Sequence, residues 1–226
     1  MAALYAISDI HGCFTPFHEL VVNILRLKKS DKLILLGDYI DRGNQSRDVV
    51  DFIMDLIASG FNVTPLKGNH ELMLTEALHN PVTLPLWMMN SGLTTLQSFG
   101  ADSIRDIPLE YIEFFEGLGY YHISGNFIFV HAGFNDNLED PFFDSYTMVW
   151  ESGLTYRNPL LSDFTIIHGH RPKSLDYIKK QIREKSKVIP IDSGCVYGKA
   201  TGYGFLSALE VNSMNLISVP CDQYAL

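Results

Sequence analysis

Short apolar runs alternate with helical spacings through the first third of the chain. Residues 4–8 and 32–36 form runs of strand length. Between them Phe17, Leu20, Val21, Ile24 and Leu25 recur at helical spacing, with Thr15 as N-cap and Pro16 at the first helical position. The pattern repeats: Val49, Val50, Ile53, Leu56 and Ile57 mark an amphipathic helix closed by Gly60, and a third strand runs over 61–66. Strands and helices alternating in this way predict parallel pairing and an α/β fold built on βαβαβ units. A further helix is predicted over 70–79. Segment 80–119, with Pro81, Pro85 and Pro108 among several aromatics, reads as shorter helices and loops. Beyond it, strand-like runs at 120–123, 127–130, 163–167, 188–191, 205–209 and 216–219 are separated mainly by turns, so the second half is predicted to be mostly sheet. No repeat, low-complexity tract or Pro/Gly/Ser linker interrupts the pattern, and residues 1–226 are read as a single domain.

Composition narrows the function classes. With 226 residues, 46% of them hydrophobic and 12% aromatic, the chain can bury a sizeable core, which excludes disordered and fibrous classes. Seventeen Lys and Arg against 26 Asp and Glu leave a formal charge of −9, so nucleic acid and anionic lipid are not expected partners. No apolar run approaches the roughly 18 residues of a membrane span, and the N-terminus has no secretory pattern. A cytoplasmic address is expected. Cys13, Cys195 and Cys221 are odd in number and widely spaced, which favours reduced thiols over a disulfide framework.

The chemistry is concentrated where predicted strands end. The first runs into Asp9-x-His11, the second into Gly37-Asp38-x-x-Asp41-Arg42, and the third into Gly68-Asn69-His70-Glu71. Later strands deliver His131-Ala132-Gly133 and His168-Gly169-His170-Arg171. Ligands of open α/β sheets bind beyond the carboxyl ends of parallel strands, so these clusters are expected to meet at one rim. Oxygen and nitrogen donors without thiolate suit Mn²⁺, Fe, Zn²⁺ or Mg²⁺. Their number exceeds what one ion takes and points to two ions sharing a carboxylate.

These five motifs, in this order, resemble the phosphoprotein phosphatase (PPP) family of calcineurin-like metallophosphoesterases. Asn90-Ser91-Gly92 with Thr95-Leu96, and Ile191-Asp192-Ser193-Gly194-Cys195, are similar to its short bacterial and phage branch of serine/threonine protein phosphatases. The resemblance implies a two-sheet β-sandwich flanked by α-helices. It implies Asp9, His11 and a bridging Asp38 as ligands of one metal, and Asn69, His131 and His170 as those completing the second, with Mn²⁺ the favoured ion. It implies attack on phosphorus by a metal-bridging hydroxide, His70 as general acid oriented by Asp41, and Arg42 and Asn69 on the substrate phosphate. The substrate so implied is a phosphorylated protein or a small phosphate compound. The alternative is a symmetrical bis(5′-nucleosyl)-tetraphosphatase, which shares these motifs and would differ in its substrate loops, here 80–120 and 133–158.

The pattern departs from the family at two places. Bacterial relatives place an Arg shortly after a Trp, whereas Trp150 is followed by Glu151, Ser152 and Gly153. Arg157 or Arg171 is then expected to supply the second phosphate clamp, with Arg171 preferred, and Glu151 is expected to point away or to pair with an Arg. His168 offers a second imidazole beside His170 and is read as a packing or supporting residue. His18, His79 and His122 lie outside every motif and are read as surface or packed histidines, and Glu71 as a carboxylate favouring the first turn of its helix.

Overall fold

A computed structural model describes residues 2–197 and 202–221. Nine strands form two sheets among these residues. Strands β1 (Leu4–Ile7), β2 (Lys32–Leu35) and β3 (Asn62–Pro65) pair in parallel, and β8 (Phe205–Glu210) and β9 (Asn215–Pro220) join antiparallel to complete the order β3-β2-β1-β8-β9. The second sheet has the order β4-β5-β6-β7, with β5 (Phe127–Val130), β6 (Thr165–His168) and β7 (Val188–Pro190) parallel and β4 (Tyr121–Ser124) antiparallel at the edge.

Side-chain alternation explains why the sheets stack. Ala6, Ile34 and Leu36 point from the first sheet onto Phe129, Ile167 and Ile189 of the second, forming one buried layer. Their neighbours Ile7, Leu33 and Leu35 face the opposite way, into a larger core with the helices. Ile128, Val130 and Ile166 in turn face outward to Phe134, Met148 and Leu161. The expected sandwich with helices on its outer side is therefore present, and all three cysteines are free and buried within it.

The helices are α1 (Phe14–His18), continued by a π-helical stretch over Glu19–Ile24, α2 (Ser46–Ala58), α3 (Asn69–His79), α4 (Leu84–Met89), α5 (Gly92–Phe99), α6 (Leu109–Glu116), α7 (Ser145–Trp150) and α8 (Leu175–Arg183). None of them is long and apolar enough to cross a membrane. Two expectations are corrected. The first helix starts at Phe14 with Cys13 in the cap position, ahead of the expected Thr15, because the left-handed turn at His11 and Gly12 redirects the chain earlier. The second half also holds α7 and α8, which the strand-and-turn reading missed. Only Ile178 of α8 is fully buried, so its apolar signal is one residue deep.

Glu71 ties the loops after β2 and β3 together. It does stand in the first turn of α3, as expected, but its carboxylate reaches back to accept the Gly68 N–H (2.9 Å) and across to accept those of Asp38 (2.9 Å) and Tyr39 (2.8 Å). Burial raises its pKa, against the opposing effect of these donors. Glu71→Ala would leave three buried donors unpaired, so it should cost about 3 kcal/mol or more in urea unfolding. A loss below about 1 kcal/mol would mean that the loops hold their shape without it.

Candidate active site

The parallel strands of both sheets end at the same rim, and all five motifs meet there. From the first sheet come Asp9 and His11 after β1, Asp38, Asp41 and Arg42 after β2, and Asn69 and His70 at the start of α3. From the second come His131 after β5 and His170 after β6. All are buried except Arg42 and His170, which are half-buried.

Backbone geometry marks the same residues. Among the described residues nine non-glycine positions have positive φ, and five of them are His11 (47°), Asp38 (55°), Asp41 (67°), Arg42 (67°) and His170 (69°). Such left-handed backbone costs on the order of 1 kcal/mol or more per residue and persists only where surrounding contacts enforce it. Two glycines let the carboxylates approach the main chain: a Cβ at Gly68 would strike Asp38 Oδ1, and one at Gly169 would strike Asp9 Oδ2.

Asp38 stands at the centre. Its Oδ2 lies 3.5 Å from His11 Nε2, 3.5 Å from His131 Nε2 and 4.0 Å from His70 Nε2. The imidazole tautomers follow from their other partners. His11 Nδ1 faces the Ile40 carbonyl at 3.0 Å and His131 Nδ1 faces the Leu36 carbonyl at 3.0 Å, so each Nδ1–H donates and each Nε2 is an acceptor. His170 Nδ1 lies 3.1 Å from Asn69 Oδ1 and 3.2 Å from His131 Nε2. Burial lowers the pKa of His11 and His131, and burial together with the neighbouring His131 takes His170 to about 3, so these rings are neutral at pH 7. Acceptors facing one another repel unless a cation lies among them. Two groups, His11–Asp38–His70 and Asp38–His131–His170, place their donor atoms within 4.8 Å and share Asp38. The donor set thus fits divalent cations.

Asp9, expected as a ligand of the first metal, is buried at the same rim. Its oxygens accept the His170 N–H at 3.0 and 3.1 Å and the Ser8 hydroxyl, while the first group joins Asp38 to the imidazoles of His11 and His70. Arg42 donates from Nη1 to His11 Nε2 at 2.8 Å, and its guanidinium lies 5.9 Å from the Tyr197 ring centre.

His70 is held between the carboxylates of Asp38 and Asp41. Nδ1 donates to Asp41 Oδ2 at 2.7 Å, while Nε2 is buried and has no hydrogen-bond partner. Burial works against its charge, yet Asp38 and the hydrogen-bonded Asp41 outweigh burial and raise its pKa. Asp41 in turn accepts from Trp87 Nε1 (3.0 Å) and Thr95 Oγ1 (2.5 Å). Segment 80–119, which carried no readable site signal beyond its likeness at Thr95, therefore supplies the groups that hold Asp41. The one available cue was that a buried indole N–H seeks an acceptor.

Of the remaining candidates, Arg171 is exposed directly after His170, whereas the Arg157 side chain is exposed and its backbone N–H donates to Asp136. Glu151 is exposed. His168 is buried with Nδ1 on the Gly169 carbonyl at 3.0 Å, and burial lowers its pKa to about 4. His79 pairs with Glu116, His122 contacts Lys32, and His18 packs on Phe14 and Phe52. Asp192, which the sequence marks only as part of the 191–195 likeness and without a role, is a buried carboxylate that accepts the Gly194 N–H at 2.8 Å and whose pKa is raised by burial and by nearby Asp9.

Comparison with known proteins agrees with this geometry. The family model for calcineurin-like phosphoesterases matches residues 3–200. A symmetrical bis(5′-nucleosyl)-tetraphosphatase of Nitrosospira multiformis is 33% identical over 131 residues, covering 58% of this chain and 43% of the relative, so the chain spans less than half the length of that protein. An asymmetrical bis(5′-nucleosyl)-tetraphosphatase, PrpE of Bacillus subtilis, is 27% identical over 247 aligned positions and 96% of each chain is covered. Among solved structures, a candidate diadenosine tetraphosphatase superposes with a TM-score of 0.66 at 22% identity over 97% of this chain and 93% of that one. A Saccharomyces cerevisiae serine/threonine phosphatase similar to human PP5 gives 0.66 at 16% identity over 98% and 80%. With the rim residues, the stacked sheets and the family match in agreement, the chain belongs to the calcineurin-like phosphoesterases.

Proposed function

We propose that the protein is a metal-dependent phosphoanhydride hydrolase whose substrate is a bis(5′-nucleosyl) tetraphosphate. The observation that carries the substrate class is the end-to-end likeness to the asymmetrical tetraphosphatase of Bacillus subtilis, which extends through segments 80–120 and 133–158 where substrate loops are expected. Likeness to the serine/threonine phosphatase concerns the fold alone, so the tetraphosphatase reading takes precedence over the phosphoprotein reading.

When bound, two divalent cations supply positive charge against the phosphate oxygens and acidify the attacking water. Asp9, His11 and Asp38 would hold one ion, and Asp38, Asn69, His131 and His170 the other. Mn²⁺ is the ion proposed, by resemblance. His70 holds a proton at Nε2, the atom left without a partner, and passes it to the leaving oxygen while Asp41 keeps the ring in place. Arg42 presents a planar fork of donors suited to a phosphate oxygen, and a cation taking the His11 Nε2 lone pair would release it for that use.

With Mn²⁺ present, kcat/KM for diadenosine tetraphosphate should exceed that for a phosphoserine peptide at least about tenfold. ATP plus AMP is the expected product pair, because the asymmetrical relative is matched along its whole length. Two ADP would move the enzyme to the symmetrical class, and preference for the peptide would overturn the substrate assignment. His70→Asn should lower turnover of phenyl phosphate by about 10²-fold or more and that of p-nitrophenyl phosphate distinctly less, since the latter's leaving group needs less protonation. Equal losses on the two esters would contradict the role given to His70.

A further inference from the structure

A cleft of about 450 Å³ adjoins the Gly169-His170 turn, within the size range of small-molecule sites. One wall is the loop after α7, with Ser152, Gly153 and Leu154, and another is the α8 side, with Lys173, Tyr177 and Gln181. Its floor is formed by the ends of β6 and β7, through His168, Val188 and Pro190, and Arg171 completes it. Because Arg171 follows His170 in the chain, the cleft begins one residue from the acceptor cluster.

The lining is chemically one-sided. No Asp or Glu is among the ten residues, while Arg171 and Lys173 both are, in a chain with 26 acidic and 17 basic side chains. A cleft of about 410 Å³ elsewhere sets Lys67 against Glu76 and Glu116 and shows no such bias. The rest of the lining is apolar or neutral and hydrogen-bonding. Lys173 Nζ lies 5.7 Å from the Tyr177 ring centre, so cation and aromatic face are presented together.

We infer that this cleft binds a nucleoside phosphate moiety of the substrate, with Arg171 and Lys173 on its phosphates and Tyr177, Leu154 and Val188 against the nucleoside. Gln181 supplies a hydrogen-bonding amide. The inference rests on the dinucleotide reading above and adds where one nucleotide is held. It also gives a reason for Arg after Gly169-His170: with no Arg shortly after Trp150, the cation comes from the segment after β6.

The test is calorimetric titration of metal-depleted protein with ADP, beside steady-state kinetics on diadenosine tetraphosphate. Lys173→Gln, which removes the charge, and Gln181→Trp, which fills the cleft, should each weaken ADP binding about tenfold and raise KM by a similar factor with kcat within about twofold. Lys173→Arg should restore binding. Unchanged ADP affinity in both variants, or ADP binding no tighter than inorganic phosphate, would overturn the assignment. Hydrolysis of the dinucleotide with a KM indifferent to both substitutions would sink the cleft and leave the tetraphosphatase reading standing. Cleft-dependent ADP binding without dinucleotide hydrolysis would do the reverse.

Discussion

A carboxylate buried among lone pairs is the constraint on which the rim depends. Asp38 is 2% exposed and faces the acceptor nitrogens of His11 and His131 at 3.5 Å, each fixed in its tautomer by a backbone carbonyl. Asp9, Glu71 and Asp192 add further buried acids nearby, and the one Arg among them, Arg42, is only half-buried. Desolvation makes such an arrangement unfavourable in itself and pushes the Asp38 and Asp192 carboxyls well up, which is the electrostatic environment that divalent charge relieves.

Holding that arrangement is the work of backbone as much as side chains. Left-handed conformations at Asp38, Asp41 and Arg42 turn the loop after β2 tightly enough for Asp38 to face inward while Asp41 reaches His70. Glu71 fixes the start of that turn through the Asp38 and Tyr39 N–H groups, and the Asp38 carbonyl accepts from Ile10 (3.0 Å) and His11 (2.8 Å), which ties the first loop to the second. The two sheets then supply what one could not. The inward layer of Ala6, Ile34, Phe129 and Ile167 sets their separation, and with it the approach of His131 and His170 to Asp38.

Much of this was legible in the sequence because strand signals are local. Runs such as Phe127–Val130 are short, apolar and followed at once by polar residues, so strand and site residue are read in one step. What escaped is long-range or shallow. The Thr15 cap failed because a turn set by His11 and Gly12, which depends on the Asp38 loop, starts the helix earlier. Helix α8 escaped because a nine-residue amphipathic segment with one fully buried side chain reads like a polar loop. Trp87 bonds Asp41 across 46 positions and Glu71 bonds Asp38 across 33, separations that no local pattern encodes. The cleft beside Arg171 is likewise assembled from three segments, and its charge bias exists only once they are folded together.

The sharing of Asp38 between two groups of donors is most directly tested by elemental analysis after equilibrium dialysis against Mn²⁺, on the wild-type chain and on Asp38→Asn. Two ions per wild-type chain, falling below one in the variant while its circular dichroism is unchanged, is the expected result. Binding of no ion by the wild type, or retention of two by Asp38→Asn, would contradict a shared carboxylate at the centre of the site.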